Sequence, residues 1–190
     1  GAAIIDVGAE STRPGARGIG GAEELDGLLP IVGAMARRLD VIISIDTSSP
    51  EAITAAAATG AGLINDVRAL RRPGALAAAA ASGLPVCLMH MQGEPTNMQQ
   101  APLYGQVIED VCGFLLARIQ ACEAAGIARS RLICDPGFGF GKSLQHNLQL
   151  LRHFDALQRL ELPLLVGVSR KSMLGQLLDG APVNERQSAG

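Results

Sequence analysis

The chemical question in this 190-residue sequence is set by a few carboxylates, one carboxamide and a lysine that follow apolar runs. "LICDPGFGFGKS", residues 132–143, places Asp135 ahead of glycines 137, 139 and 141 and ends in Gly-Lys-Ser. A Walker A phosphate loop needs glycine five positions before Gly141, where Pro136 stands. A dinucleotide fingerprint beginning at Gly137 needs its third glycine where Lys142 stands. Phosphate contact by Lys142 or Ser143 is therefore not expected, and Ser143 reads as the start of a helix. Comparable polar groups end other apolar runs: Asp46, Asn65 with Asp66, His90, and Ser169 leading to Lys171.

Taken singly, each group has an ordinary use. Asp46 before "TSSPE" can help start the next helix, and Asp66 can pair with Arg68 at the surface. His90 can be a satisfied structural histidine, and Lys171 a solvated helix residue. Taken together they suggest more. Asp46, Asn65 and Asp135 meeting at one end of a fold would accept paired N–H donors in a plane, which suits an aminopyrimidinone edge such as that of guanine or a pterin. Buried carboxylates of this kind need a ligand or a shifted pKa, and a lysine could meet a ring carbonyl or an anionic substrate.

Six runs read as the strands that would position these groups: 2–7, 41–46, 61–66, 85–91, 131–136 and 162–169. Near-continuous Ile, Leu and Val, without in/out alternation, fits parallel strands covered on both faces. Helical patterns lie between them at about 22–39, 50–60, 73–83, 103–125 and 146–160, punctuated by Ser49, Pro50, Gly60, Pro73 and Gly83. Polar groups at the ends of many strands favour a TIM (β/α)8 barrel over an open sheet, which concentrates its site at one switch point. A complete barrel takes eight strands and about 250 residues, so an incomplete barrel of about six βα units is expected, as one domain over 1–190.

Hydrophobic residues make up 48% of the chain, yet no apolar run reaches membrane-spanning length, so a membrane partner is not expected. A net charge of −2 and only five aromatic Phe and Tyr residues, with no Trp, argue against nucleic acid and for a small ligand. Cys87, Cys112, Cys122 and Cys134 form no C-x-x-C pair and read as reduced packing residues, pointing to a cytoplasmic protein.

"IIDVGAESTRPG", "SIDTS", "GLINDVRAL", "CLMHMQGEPTNMQ", "LICDPGFGFGKS" and "LLVGVSRKSM" together resemble the bacterial dihydropteroate synthases, in order and spacing, from residue 1 to about 186. The resemblance implies a transferase of folate biosynthesis that joins 6-hydroxymethyl-7,8-dihydropterin diphosphate to 4-aminobenzoate and releases diphosphate. It implies catalytic roles for Asp46, Asp135 and Lys171. Asp46, Asn65 and Asp135 would hold the pterin edge and Lys171 its carbonyl side, with Val67, Met89 and Gly167 also in the pocket. Thr12, Arg13 and Pro14 would lie in the loop that closes over the aminobenzoate, which Phe140 and Ser169 would touch. Glycines 137, 139 and 141 would let backbone approach the flat ring.

The same resemblance implies a Mg2+ cofactor whose ligand lies in a family segment without a counterpart here, an "NVTPDSFSDGG" loop, and a homodimer in the full-length protein. The family's last strand, with its R-x-H-D diphosphate grip, also has no counterpart, so a fragment with poor turnover is expected. Gly8-Ala9 stands where the family commonly has two glycines, and Ser49 stands where it has lysine. Two other classes are compatible with the pterin-holding residues: methyltetrahydrofolate-dependent methyltransferases, which lack the "ESTRPG" and "SRKS" segments, and a non-catalytic pterin-binding fragment.

Overall fold

The computed structural model describes residues 1–10 and 21–189. Five strands, β1 (Ile4–Val7), β2 (Ile42–Asp46), β3 (Leu63–Asp66), β4 (Val86–Met89) and β5 (Leu132–Asp135), form one parallel sheet in chain order. The intervening helices are α1 (Gly21–Arg38), α2 (Pro50–Thr59), α3 (Ala75–Ser82) and α4 (Val107–Ala124), followed after β5 by α5 (Leu144–Arg152) and α6 (Ser172–Leu177). Strand order equal to chain order, with a helix after each strand, is the winding of a barrel rather than of an open sheet that reverses direction. The chain is thus a partial (β/α) barrel.

Local chemistry sets the boundaries. Ser49 caps α2 by accepting the Ala52 amide, Pro50 fills the first helical position, and Gly60 ends the helix at φ 118°. A Cβ at Gly60 would lie 2.7 Å from the Ala36 side chain, so the turn also lets α1 and α2 approach closely. Ser143 caps α5 in a box closed by the His146 ring, as the sequence predicts for Ser143. In α4, Val111, Cys112, Leu115, Ile119 and Cys122 recur at three- and four-residue spacing and form its buried stripe.

The sixth expected strand is corrected. Residues 162–169 make one parallel bridge, Cys134 to Leu164, through the Cys134 N–H to Pro163 O and the Leu165 N–H to Cys134 O, each 2.9 Å. Pro163 has no N–H to extend the ladder, and Val166 remains 42% exposed. The expected helix at 146–160 likewise divides into α5 and a 3-10 segment, Phe154–Leu160.

Register decides what faces inward. Asp6 pairs with Ser44, Asp46 with Asn65, Asn65 with Cys87 and Met89 with Asp135. With a two-residue side-chain period, Asp6, Asp46, Asn65, Met89 and Asp135 share the inner face. Ile43, Ile45, Ile64, Val86, Leu88, Leu132 and Cys134 lie on the other face, in the main core beneath the helices. The four cysteines are buried free thiols. Among the described residues no helix is long and apolar enough to cross a membrane.

Candidate functional site

The inner-face groups gather at the C-terminal rim of the sheet. Asp46 is the last residue of β2, and its buried Oδ1 has no hydrogen-bond partner among the described residues. Gly8 makes room beside it, because a Cβ there would sit 3.1 Å from both the Asp46 Cβ and its carbonyl oxygen. Burial pushes the Asp46 carboxyl up to about 7; the charges of Asp6, Asp66 and Glu10 add to the rise, and Arg68 opposes it. Asp46 does not cap the following helix, since Ser49 does. A desolvated carboxylate oxygen with no donor among the described residues can receive one from a ligand.

Asn65, level with Asp46, donates its Nδ2 to Asp6 Oδ2 at 3.0 Å. That bond fixes the amide, so its Oδ1 is left for another partner. Asp135 is 6% exposed and accepts the Gly137 amide at 2.7 Å. Burial raises its pKa, while that amide, Lys171 and Lys142 pull it down. Lys171 precedes α6, donates to the Phe138 carbonyl, and holds its Nζ 4.7 Å from the Phe140 ring centroid. Burial depresses its pKa and Asp135 supports its charge. Gly167 lies alongside, where an added Cβ would be 3.6 Å from the Lys171 ammonium, and Ser169 is exposed.

Val67 and Met89 join Met91, Met98 and Phe140 in a small apolar cluster separate from the main core. The rim thus offers oxygen acceptors from the strand ends, a cation from the start of α6, and an apolar wall. Such a set can grip a flat heterocycle by an N–H-rich edge, a carbonyl and a face. Thr12, Arg13 and Pro14 lie outside the described residues. Glu10, just before them, is half-buried and pairs with Arg68 at 3.5 Å and Arg72 at 3.8 Å, and Arg68 also holds Glu94 at 2.9 Å.

Two readings are refined. Asp66 is not a surface partner of Arg68: it faces the helices, fully buried, and accepts from the Ser48 hydroxyl and from the Arg68 and Leu70 amides. Glycines 137 and 141 make room for protein backbone. A Cβ on Gly137 (φ 69°) would fall 1.9 Å from the His90 carbonyl oxygen, and one on Gly141 (φ 60°) 2.3 Å from that of Gln92. Lys142, away from solvent, contacts His90 and backbone carbonyls. His90 is structural, stacked edge-on against Phe114, and burial with Lys142 beside it lowers its pKa to about 2. Asp6, Glu10, Arg68 and Lys142 were missed as contributors. Asp6 carries the same strand-end signal as Asp46, whereas the other three reveal themselves only through nonlocal contacts.

The chain is 56% identical over 188 residues to the dihydropteroate synthase of Escherichia coli, covering 99% of this chain and 66% of that protein. It therefore spans about two thirds of the relative's length. Its backbone matches the crystal structure of Yersinia pestis dihydropteroate synthase in complex with a sulfonamide drug, with a TM-score of 0.97 at 56% identity, covering all of this chain and 68% of that one. A structure of the Xanthomonas albilineans enzyme holding 7,8-dihydropteroate matches with a TM-score of 0.88 at 42% identity, covering 99% of this chain and 66% of that one. Residues 1–190 match the family described as pterin binding enzyme. The chain, with its strand-end carboxylates and amide around one rim, belongs to the pterin binding enzyme family.

Proposed function

We propose that the protein acts as a dihydropteroate synthase, condensing 6-hydroxymethyl-7,8-dihydropterin diphosphate with 4-aminobenzoate to give 7,8-dihydropteroate and diphosphate. The observation that carries this reading is the buried Oδ1 of Asp46, unpartnered among the described residues, beside Asn65 on the face that also bears Asp135. A relative 56% identical to this chain is named dihydropteroate synthase, and a solved relative 42% identical to it holds 7,8-dihydropteroate.

In this reading Asp46, Asn65 and Asp135 accept the N–H groups of the pterin edge and Lys171 donates to its carbonyl. Val67 and Met89 flank the ring, with Gly167 leaving space for the lysine. Phe140 and Ser169 face the aminobenzoate, together with Thr12, Arg13 and Pro14. Departure of diphosphate leaves positive charge on the methylene carbon, conjugated with the electron-rich ring, and the aniline nitrogen then attacks that carbon. Asp46 and Asp135 stabilise the charge as it develops, because their positions are fixed before reaction. No side-chain nucleophile is needed. Ligand N–H donors also draw Asp46 into its ionised form, since each favours the carboxylate over the acid.

Mg2+ would serve the diphosphate. Among the described residues no group of three His, Cys, Asp or Glu side chains is placed to hold a metal ion, and none of the roles above runs through one. Cytoplasmic location and a homodimer complete the proposal. Titration of the full-length protein with 6-hydroxymethylpterin, alongside chromatographic detection of dihydropteroate, tests it. Binding with product formation is expected. Failure to bind the pterin would remove the reading altogether, whereas binding without product would leave a pterin-binding protein of other activity.

A further inference from the structure

The glycine loop after β5 is held down by a charge. Lys142 is 3% exposed, and its Nζ lies 2.9 Å from the Gly137 carbonyl oxygen, 3.0 Å from that of Phe140, 3.4 Å from that of His90 and 2.9 Å from His90 Nδ1. An ammonium has three donors and no acceptor, so His90 Nδ1 must be the accepting nitrogen and its proton must sit on Nε2. The loop is tied a second time by the Tyr104 hydroxyl, which donates to the Gly141 carbonyl at 2.7 Å. Among the described residues no carboxylate touches Lys142. A buried cation balanced only by carbonyls and a ring nitrogen is expensive, and an apolar side chain of similar length would avoid that expense.

The charge acts through space on Asp135, two residues before Gly137. The titratable groups facing the ammonium are His90 from β4, Asp135 from β5, His146 from α5 and Lys171 at the start of α6. Asp135 is faced in turn by Cys87 of β4 and by Lys171. Asp135 is the one anion in this set. We propose that Lys142 is a positioning residue of the pterin site: its ammonium fastens residues 137–141 to the end of β4 and keeps Asp135 ionised for the ligand. This rests on the proposed pterin-binding reading. Burial lowers the Lys142 pKa to about 7, so the cation is present below that pH, where Asp135 is most at risk of protonation.

The test uses K142Q, which keeps a donor and removes the charge, and K142R, which keeps the charge. The affinity of the full-length protein for fluorescent 6-hydroxymethylpterin is followed from pH 5 to 8. Without the cation, Asp135 takes up its proton at higher pH. K142Q should therefore bind at least tenfold more weakly than wild type at pH 5.5, the deficit shrinking as pH rises, while K142R follows the wild-type profile. A K142Q profile parallel to wild type, with either no loss or the same loss at every pH, would overturn the proposal. The 15Nζ resonance of Lys142 in the wild-type protein gives an independent check that needs neither variant nor ligand. An ammonium signal at pH 6 supports the assignment, and a neutral amine there overturns it. Failure of wild type to bind the pterin would instead count against the functional reading.

Discussion

Asp46 and Asp66 end adjacent strands, Asp66 fully buried and Asp46 half-buried with a buried Oδ1, yet they stand on opposite faces of the sheet and in opposite conditions. Asp66, toward the helices, has its oxygens occupied by the Ser48 hydroxyl and by two backbone amides that shape the turn after β3. Asp46, toward the inside, has an oxygen with no donor among the described residues and the neighbouring charges of Asp6 and Glu10. Burial alone therefore does not mark a functional carboxylate. A satisfied one holds the fold, and an unsatisfied one waits for a ligand.

The comparison breaks most sharply at Asp66. D66A leaves a hydroxyl and two amides buried without an acceptor, and should cost about 3 kcal/mol of stability; chemical denaturation checks it, and a loss below about 1 kcal/mol would erase the distinction. D46N should do the reverse, weakening pterin binding on the order of 100-fold while the fold persists, because a charge-assisted acceptor is lost at an oxygen that none of the described residues bonds. Calorimetric titration measures this.

The pH dependence of the ligand-free protein sharpens the same contrast. Asp46 rises from an ordinary 3.8 to about 7 in the folded state, so between those values the folded form binds the extra proton. Its contribution to stability is full at the acid end and lost as pH rises toward 7. D46N lacks this term, so its melting temperature relative to wild type should climb from pH 4 to pH 7.5. The gain should be about 2–4 °C for each kcal/mol recovered. A constant difference would show that Asp46 is not the titrating group.

Two smaller effects bound the site. S49A removes the α2 cap and should cost about 1 kcal/mol with pterin affinity unchanged, read by thermal melts and the same titration. D6A frees the Asn65 amide to rotate and should weaken binding roughly threefold with little change in melting temperature, as expected for one partly exposed hydrogen bond.

Much of this was legible beforehand. Gly, Pro and Ser punctuation located the helices, and the polar strand ends pointed to the rim where Asp46, Asn65 and Asp135 gather. Asn65, chosen over Asp66 for that rim, does share the face of Asp46, although a strand covered on both faces has no alternation of its own to dictate which residue turns inward. The glycines of 137–141 announced a tight turn, but their reason, the backbone of residues 90–92, lies about fifty positions away and leaves no local trace. Lys142 was hidden for the same cause: its local sequence argues only against phosphate contact, and its carbonyl cage comes from residues far along the chain and from the loop's own fold. The sixth strand failed because an apolar run supplies hydrophobicity but cannot by itself supply pairing partners.

The near-contact of Gly137 and Gly141 with the His90 and Gln92 main chain also bears on how this molecule can vary over time. A methyl group at either glycine would force the two segments apart, carrying Asp135 with one and the Met89 end of β4 with the other. Neither stretch can drift alone, so inherited changes in 136–142 should survive only alongside compensating changes in 89–93.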